Sequence, residues 1–84
     1  MFDKEIIDFG TVAQGSTGSV SLRYLGEEPF DRLQMRTGCS CTAAAYNPDT
    51  KEVTFSTTFR NVGEFGMTPS YKNKYFIRLK ATVV

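Results

Sequence analysis

The last nine residues, Phe-Ile-Arg-Leu-Lys-Ala-Thr-Val-Val, constrain the fold more than any other stretch of this chain. Ile77, Leu79, Ala81 and Val83 alternate with Arg78, Lys80 and Thr82. A period of two puts the apolar set on one face of an extended strand and the polar set on the other, which a half-buried strand requires and a helix cannot use. The same alternation recurs in Val-Thr-Phe-Ser-Thr-Thr-Phe, where Val53, Phe55, Thr57 and Phe59 share a face opposite Thr54, Ser56 and Thr58. Each strand has an apolar face that needs a second layer, so two such strands already point to stacked sheets.

Weaker versions of the pattern fill the rest of the chain. Val20, Leu22 and Tyr24 align in one segment, Leu33 and Met35 face away from Arg32, Gln34 and Arg36 in another, and Ile7 and Phe9 share a face in a third. Turn signals separate them: Gly10, Gly15 and Gly18, then Gly26 to Pro29, Gly38, Asn47 to Thr50, Asn61 to Gly66, and Pro69 to Asn73. Spacing of this kind belongs to sandwiches and barrels. In Asn47-Pro48-Asp49-Thr50 the asparagine can bond back to the chain and the proline presets φ, which predicts a tight reversal before Val53. Pro29 has no amide hydrogen and is expected at the beginning of the next strand. No stretch combines helical spacing with caps. The expectation is one all-β domain over residues 1–84, with about six to seven short antiparallel strands.

The 84 residues leave no material for a second domain, and a 40% apolar, 23% charged composition is that of a globular chain. Net charge is +1, which supplies no general pull toward nucleic acid or anionic lipid. Lys72, Lys74, Arg78 and Lys80 do interleave with Tyr71, Tyr75 and Phe76. That arrangement suits a single nucleic-acid strand, but it equally suits a solvated strand face whose charges discourage aggregation, the reading adopted here. No apolar run reaches signal-peptide or membrane-span length. Cytosolic synthesis without a signal peptide is expected, with no membrane partner.

Three short motifs carry a resemblance. Ile7-Asp8-Phe9-Gly10-Thr11-Val12 followed by Gln14-Gly15, then Gly26-Glu27-Glu28-Pro29-Phe30, then Gly38-Cys39-Ser40-Cys41-Thr42 resemble, in order and spacing, the Hydin-type, major-sperm-protein-like immunoglobulin-fold domains. The nearest likeness is to their bacterial branch, a domain of unknown function. The match covers roughly residues 6–42. This sequence has Gly-Cys-Ser-Cys where that family has Ser-Cys-Gly-Cys, and after Phe59 it is shorter than a full sandwich. The resemblance implies an immunoglobulin-like β-sandwich used as a binding module, with one strand shortened, missing or supplied by a partner, and with no catalytic residues to transfer.

The residues themselves agree that chemistry is scarce. There is no histidine, which removes Cys-His and Ser-His-Asp nucleophiles. Gly10 to Gly18 is not followed by helical spacing, so it is no phosphate loop. Glu27-Glu28 and Asp49/Glu52 stand at turns, where carboxylates are ordinarily solvated. No enzyme activity, cofactor or metal site is therefore expected.

Cys39 and Cys41 remain. On an extended strand they project to one face about 6.5–7 Å apart, whereas a disulfide needs Cβ atoms about 3.5–4.5 Å apart. Two thiols without imidazole do not complete a zinc site unless a homodimer pools them. The expectation is a stripe of small side chains, Cys39, Cys41, Ala43 and Ala45, packed inside the sandwich.

Function then falls to edges and loops. Phe2, Phe30, Phe65, Met67 and Tyr71 are the candidate interface residues, large and mostly placed in connections. The leading expectation is a structural accessory subunit bound to a protein assembly, such as a bacteriophage capsid or tail, and hence virion-associated, with homo-oligomers also open. The alternatives are a thiol-redox or metal-handling protein acting through Cys39 and Cys41, and a trimmed adhesion or binding domain of an exported bacterial protein.

Overall fold

The structure is a computed structural model and describes residues 2–38 and 41–84. Its strands are β1 (Ile6–Val12), β2 (Thr17–Arg23), β3 (Met35–Arg36), β4 (Thr42–Asn47), β5 (Glu52–Thr58), β6 (Gly63–Met67), β7 (Ser70–Tyr71), β8 (Tyr75–Phe76) and β9 (Arg78–Val83). The two segments with the cleanest alternation became central strands. β5 lies between β2 and β4, and β9 lies between β1 and β6. A third small sheet has the order β3-β7-β8.

That third sheet continues the second. Met67 pairs with Leu79, Ser70 with Phe76 and Tyr71 with Tyr75, so one antiparallel register runs through both pieces. The interruption falls at Pro69. Ile77 N–H donates to the Pro69 carbonyl at 2.9 Å, but proline has no hydrogen to return, and the ladder loses one rung. The result is an all-β sandwich: β2-β5-β4 in one layer, and β1, the β8/β9 ribbon, the β6/β7 ribbon and β3 in the other. Its layout is immunoglobulin-like, and β3, β7 and β8 have 2 residues each.

One pairing departs from expectation. β1 runs parallel to β9, because the chain enters beside the strand on which it will end. The register shifts between Asp8 and Thr11. Gly10, at φ +74, absorbs the extra residue, and its N–H donates to Asp8 Oδ1 at 2.8 Å; a bulge of this kind favours glycine. The Asn47 turn forms as predicted: Asn47 Oδ1 accepts the Asp49 N–H at 3.0 Å, and Asn47 then pairs with Glu52.

The core lies between the layers. Leu22, Val53 and Phe55 from one sheet meet Ile7, Tyr71, Ile77 and Leu79 from the other. Burying a side chain of the Leu, Ile, Val or Phe type contributes about 1.5–3 kcal/mol, and these residues explain why the alternating pattern was readable. Tyr71 is fully buried and touches three rings: Phe2 at 6.0 Å, Tyr24 at 5.6 Å and Phe30 at 4.7 Å between centroids. Its hydroxyl oxygen accepts the Asp31 N–H at 2.9 Å.

Tyr24 is also buried, and burial, followed by its hydrogen bond with Tyr71, pushes its phenol up to about 12. The unfolded chain would ionise the same group near 10. A raised folded value stabilises the fold fully below pH 10, and that stabilisation disappears as pH climbs through about 12. Stability against equilibrium unfolding should therefore fall steadily over this window, and Tyr24→Phe should flatten the decline. An unchanged slope in Tyr24→Phe would remove Tyr24 from the explanation.

Only Met35–Arg36 of the segment 32–37 form the strand that its alternation suggested, as β3; the first half does not. Asp31 caps a 3-10 turn over Arg32–Gln34, accepting the Leu33 N–H at 3.0 Å, and Leu33 is 88% exposed. Pro29 accordingly sits in the connection rather than at a strand start. Asp31 outcompetes the weak alternation because its side chain satisfies the backbone locally.

Candidate protein-binding edge

The register between β4 and β5 decides which face of β4 points inward. Val53, Phe55 and Thr57 are buried, and their partners across the ladder are Tyr46, Ala44 and Thr42. Those three therefore face the core, while Ala43 and Ala45 face solvent. This reverses the expected small-residue stripe. The large Tyr46 ring, stacked on Phe30 at 4.4 Å, claims the inside, and a one-residue shift of parity carries every neighbour with it.

Cys41 follows the same parity and is half-exposed rather than packed inside. Its sulfur is in a disulfide, which corrects the expectation of a packed free thiol. Cys39, the other cysteine of the sequence, lies outside the described residues. Among the described residues no group of three or more His, Cys, Asp or Glu side chains is placed to hold a metal ion.

The five expected interface residues are not free surface. Phe2 is 8% exposed, Tyr71 is fully buried, and Phe30, Phe65 and Met67 are half-buried against the core. The chain folds back at these connections and recruits their side chains into the sandwich. Among the described residues the exposed large apolar side chains are instead Ile6, Leu25, Leu33, Val62, Phe76 and Val84.

What the structure brings together is an edge and a groove. Thr58 N–H donates to the Cys41 carbonyl at 3.2 Å, which makes Cys41 and Thr58 a bonded pair at the end of the β4–β5 ladder. Bonded positions alternate in antiparallel pairs, so Ala43, Ala45 and Asn47 bond to β5. The N–H and C=O groups of Thr42, Ala44 and Tyr46 then point away from β5, along the open side of β4.

Beside this open side runs a groove of about 210 Å³. Phe30, Met35, Tyr46 and Val53 supply its apolar lining, and Arg32 is its charged residue. The Thr42 hydroxyl lies 2.8 Å from Thr57 Oγ1 and 2.8 Å from Met67 Sδ. These contacts tie one end of β4 to the facing layer and hold the edge in place.

The other sheet edges are protected in part, β2 the least of them, since only its Arg23 end is covered. β1 carries its bulge, β6 carries Glu64, and Asp3 covers the end of β2: its N–H donates to the Arg23 carbonyl at 3.1 Å and its Oδ1 accepts the Arg23 N–H at 2.9 Å. β4 reads Thr-Ala-Ala-Ala-Tyr-Asn, with no charge, proline or bulge to discourage a further strand. A larger hollow, about 320 Å³, lies beside Cys41 and is lined by Thr58, Arg60, Asn61 and Phe65. It borders the end of the ladder, so it offers less continuous backbone for pairing.

An edge that presents unsatisfied backbone beside a groove of mixed polar and apolar lining is chemically suited to main-chain recognition of an extended segment. No family model, curated protein or solved structure matches this chain.

Proposed function

We propose that this protein is a non-enzymatic binding module that attaches as an accessory subunit to a larger protein assembly, such as a bacteriophage capsid or tail, and that it belongs with the Hydin-type immunoglobulin-fold domains. The open edge of β4 beside its groove is the observation that carries the reading. A strand supplied by the assembly satisfies the outward backbone groups of Thr42, Ala44 and Tyr46 and completes the layer β2-β5-β4.

Proline substitutions test the reading without altering the side-chain chemistry of the groove much. Ala44→Pro removes an N–H that faces outward, so the fold should lose less than about 1 kcal/mol, as at an ordinary edge strand. Ala45→Pro removes an N–H bonded to β5 and should cost about 1–3 kcal/mol. Co-sedimentation with assemblies from the native source should survive in Ala45→Val, whose side chain faces solvent, and vanish in Ala44→Pro. Equal retention of the two folded variants would reject β4 as the attachment edge.

A further inference from the structure

The groove that flanks β4 selects among extended segments, and the following rests on β4 being the receiving edge. We infer that the segment received is an antiparallel strand from another protein, with a large apolar residue opposite Ala44 and an acidic residue at the end opposite Tyr46.

The apolar position follows from register. A strand paired with Thr42, Ala44 and Tyr46 places its opposing side chains on the same face as theirs, which is the face of the groove. Ala44 has the smallest side chain of the three and sits between them, so the space above it is open to a larger group. Phe30, Met35 and Val53 supply apolar contact in the groove, alongside Thr37 and Thr42. A branched aliphatic or unbranched apolar residue suits it.

The acidic position follows from charge. Arg32 lines the groove, and among the described residues no carboxylate lies within ion-pair distance of it. The acids nearby in sequence are engaged: Glu28 with Lys72 at 3.0 Å, and Asp31 with the Leu33 N–H at 3.0 Å. Arg32 follows by two residues the ring of Phe30, which stacks on Tyr46 at 4.4 Å. Phe30 and Arg32 line the same groove, and the Tyr46 end is the position assigned to the carboxylate. A carboxylate entering there meets an uncompensated guanidinium, whereas a lysine meets like charge, and complementarity of this kind decides between partners.

The same reasoning disfavours a second copy of the chain as occupant. β4 of a copy would set alanine against Ala44 and brings no carboxylate.

The test uses the whole protein and a blocked peptide, Thr-Glu-Thr-Leu-Thr-Val-Thr, which pairs antiparallel with Glu opposite Tyr46 and Leu opposite Ala44. Amide exchange and chemical shifts of the isotope-labelled protein are followed by NMR. Slowed exchange at Thr42, Ala44 and Tyr46 is expected, with binding about tenfold tighter than for the peptide carrying Lys in place of Glu. Arg32→Glu should invert that preference, and N-methylation of the peptide leucine should abolish binding. Equal binding of the Glu and Lys peptides at the β4 amides would overturn the acidic selectivity while leaving the edge reading intact. No protection of β4 by any peptide at millimolar concentration would overturn both. A doubled mass with β4 already protected before peptide is added would make the occupant a second copy and overturn the inference.

Discussion

Replacing Tyr71 by alanine is expected to remove about 3–5 kcal/mol of stability, the range for deleting a large buried aromatic ring. A domain of this length has roughly 4–12 kcal/mol in total, so the loss is a large share of it. The size follows from position. Tyr71 fills the centre of the aromatic group formed with Phe2, Tyr24 and Phe30, at ring separations of 6.0, 5.6 and 4.7 Å. Without it, the Phe30 ring keeps its stack on Tyr46 and its edge contact with Tyr24 at 5.3 Å, but the connection between β2 and β3 loses the ring stacked on its inner side and the acceptor of the Asp31 N–H.

The hydroxyl can be separated from the ring. Tyr71→Phe keeps the packing but leaves the Asp31 N–H, now 2.9 Å from the oxygen, without its acceptor. It also removes the hydrogen-bond partner of Tyr24. An unmatched polar group costs about 1–3 kcal/mol, so Tyr71→Phe should fall between wild type and Tyr71→Ala. Urea unfolding checks this ordering, provided the slope with denaturant stays constant across the three proteins. If Tyr71→Phe proved as damaging as Tyr71→Ala, the rings would contribute little and the hydroxyl would be the anchor.

Tyr71 also shows where sequence reading succeeds and where it stops. The alternation in residues 53–59 and 77–83 was legible because burial of one face is repeated at every second residue. It predicted the two central strands, and with the turn residues it predicted an all-β sandwich. Tyr71 was legible as a large residue near a turn but not as core, because β7 has only 2 residues and no alternation develops over that length. The face of β4 was misread for a related reason. Ala43, Ala44 and Ala45 carry no polarity contrast, so the register had to come from Tyr46 and from pairing with β5, which lies ten residues further along. The parallel approach of β1 to β9 joins opposite ends of the sequence and leaves no local signal at all.

The candidate edge was out of reach by the same logic. An unpaired strand edge is a property of neighbours that are absent, and composition records only the residues that are present. One clue existed: β4 lacks the charges and prolines that usually blunt an edge. It could be used only once β4 was known to lie at the side of its sheet. Arg32 likewise became informative when the Asp31-capped turn placed it beside Phe30, in a segment whose alternation had suggested a strand.

A second aromatic group, at the opposite end of the sandwich, gives the other large effect. Phe59 is buried, with Phe9 at 5.5 Å and Phe65 at 5.1 Å between ring centroids, and it packs with Ala81 and Val83. Its backbone is held as well, since its N–H donates to the Ser16 carbonyl at 2.9 Å and its own carbonyl accepts the Gly15 N–H at 2.6 Å. Phe59→Ala should cost about 3–5 kcal/mol. The glycine opposite makes the origin of that cost testable. A Cβ at Gly18 would lie 2.9 Å from Phe59 Cε2 and 3.1 Å from Phe9 Cδ1, so Gly18 is needed for close packing rather than for an unusual backbone angle. Gly18→Ala should destabilise through overpacking by about 1–3 kcal/mol, offset by about 0.5–1 kcal/mol from the reduced freedom of the unfolded chain. In Phe59→Leu the smaller side chain makes room, and adding Gly18→Ala to it should then be neutral or stabilising. A thermodynamic cycle over the four proteins measures this coupling directly. Strict additivity would mean that the ring does not press on Gly18, and the Phe59 contribution would have to come from Phe9 and Phe65 alone.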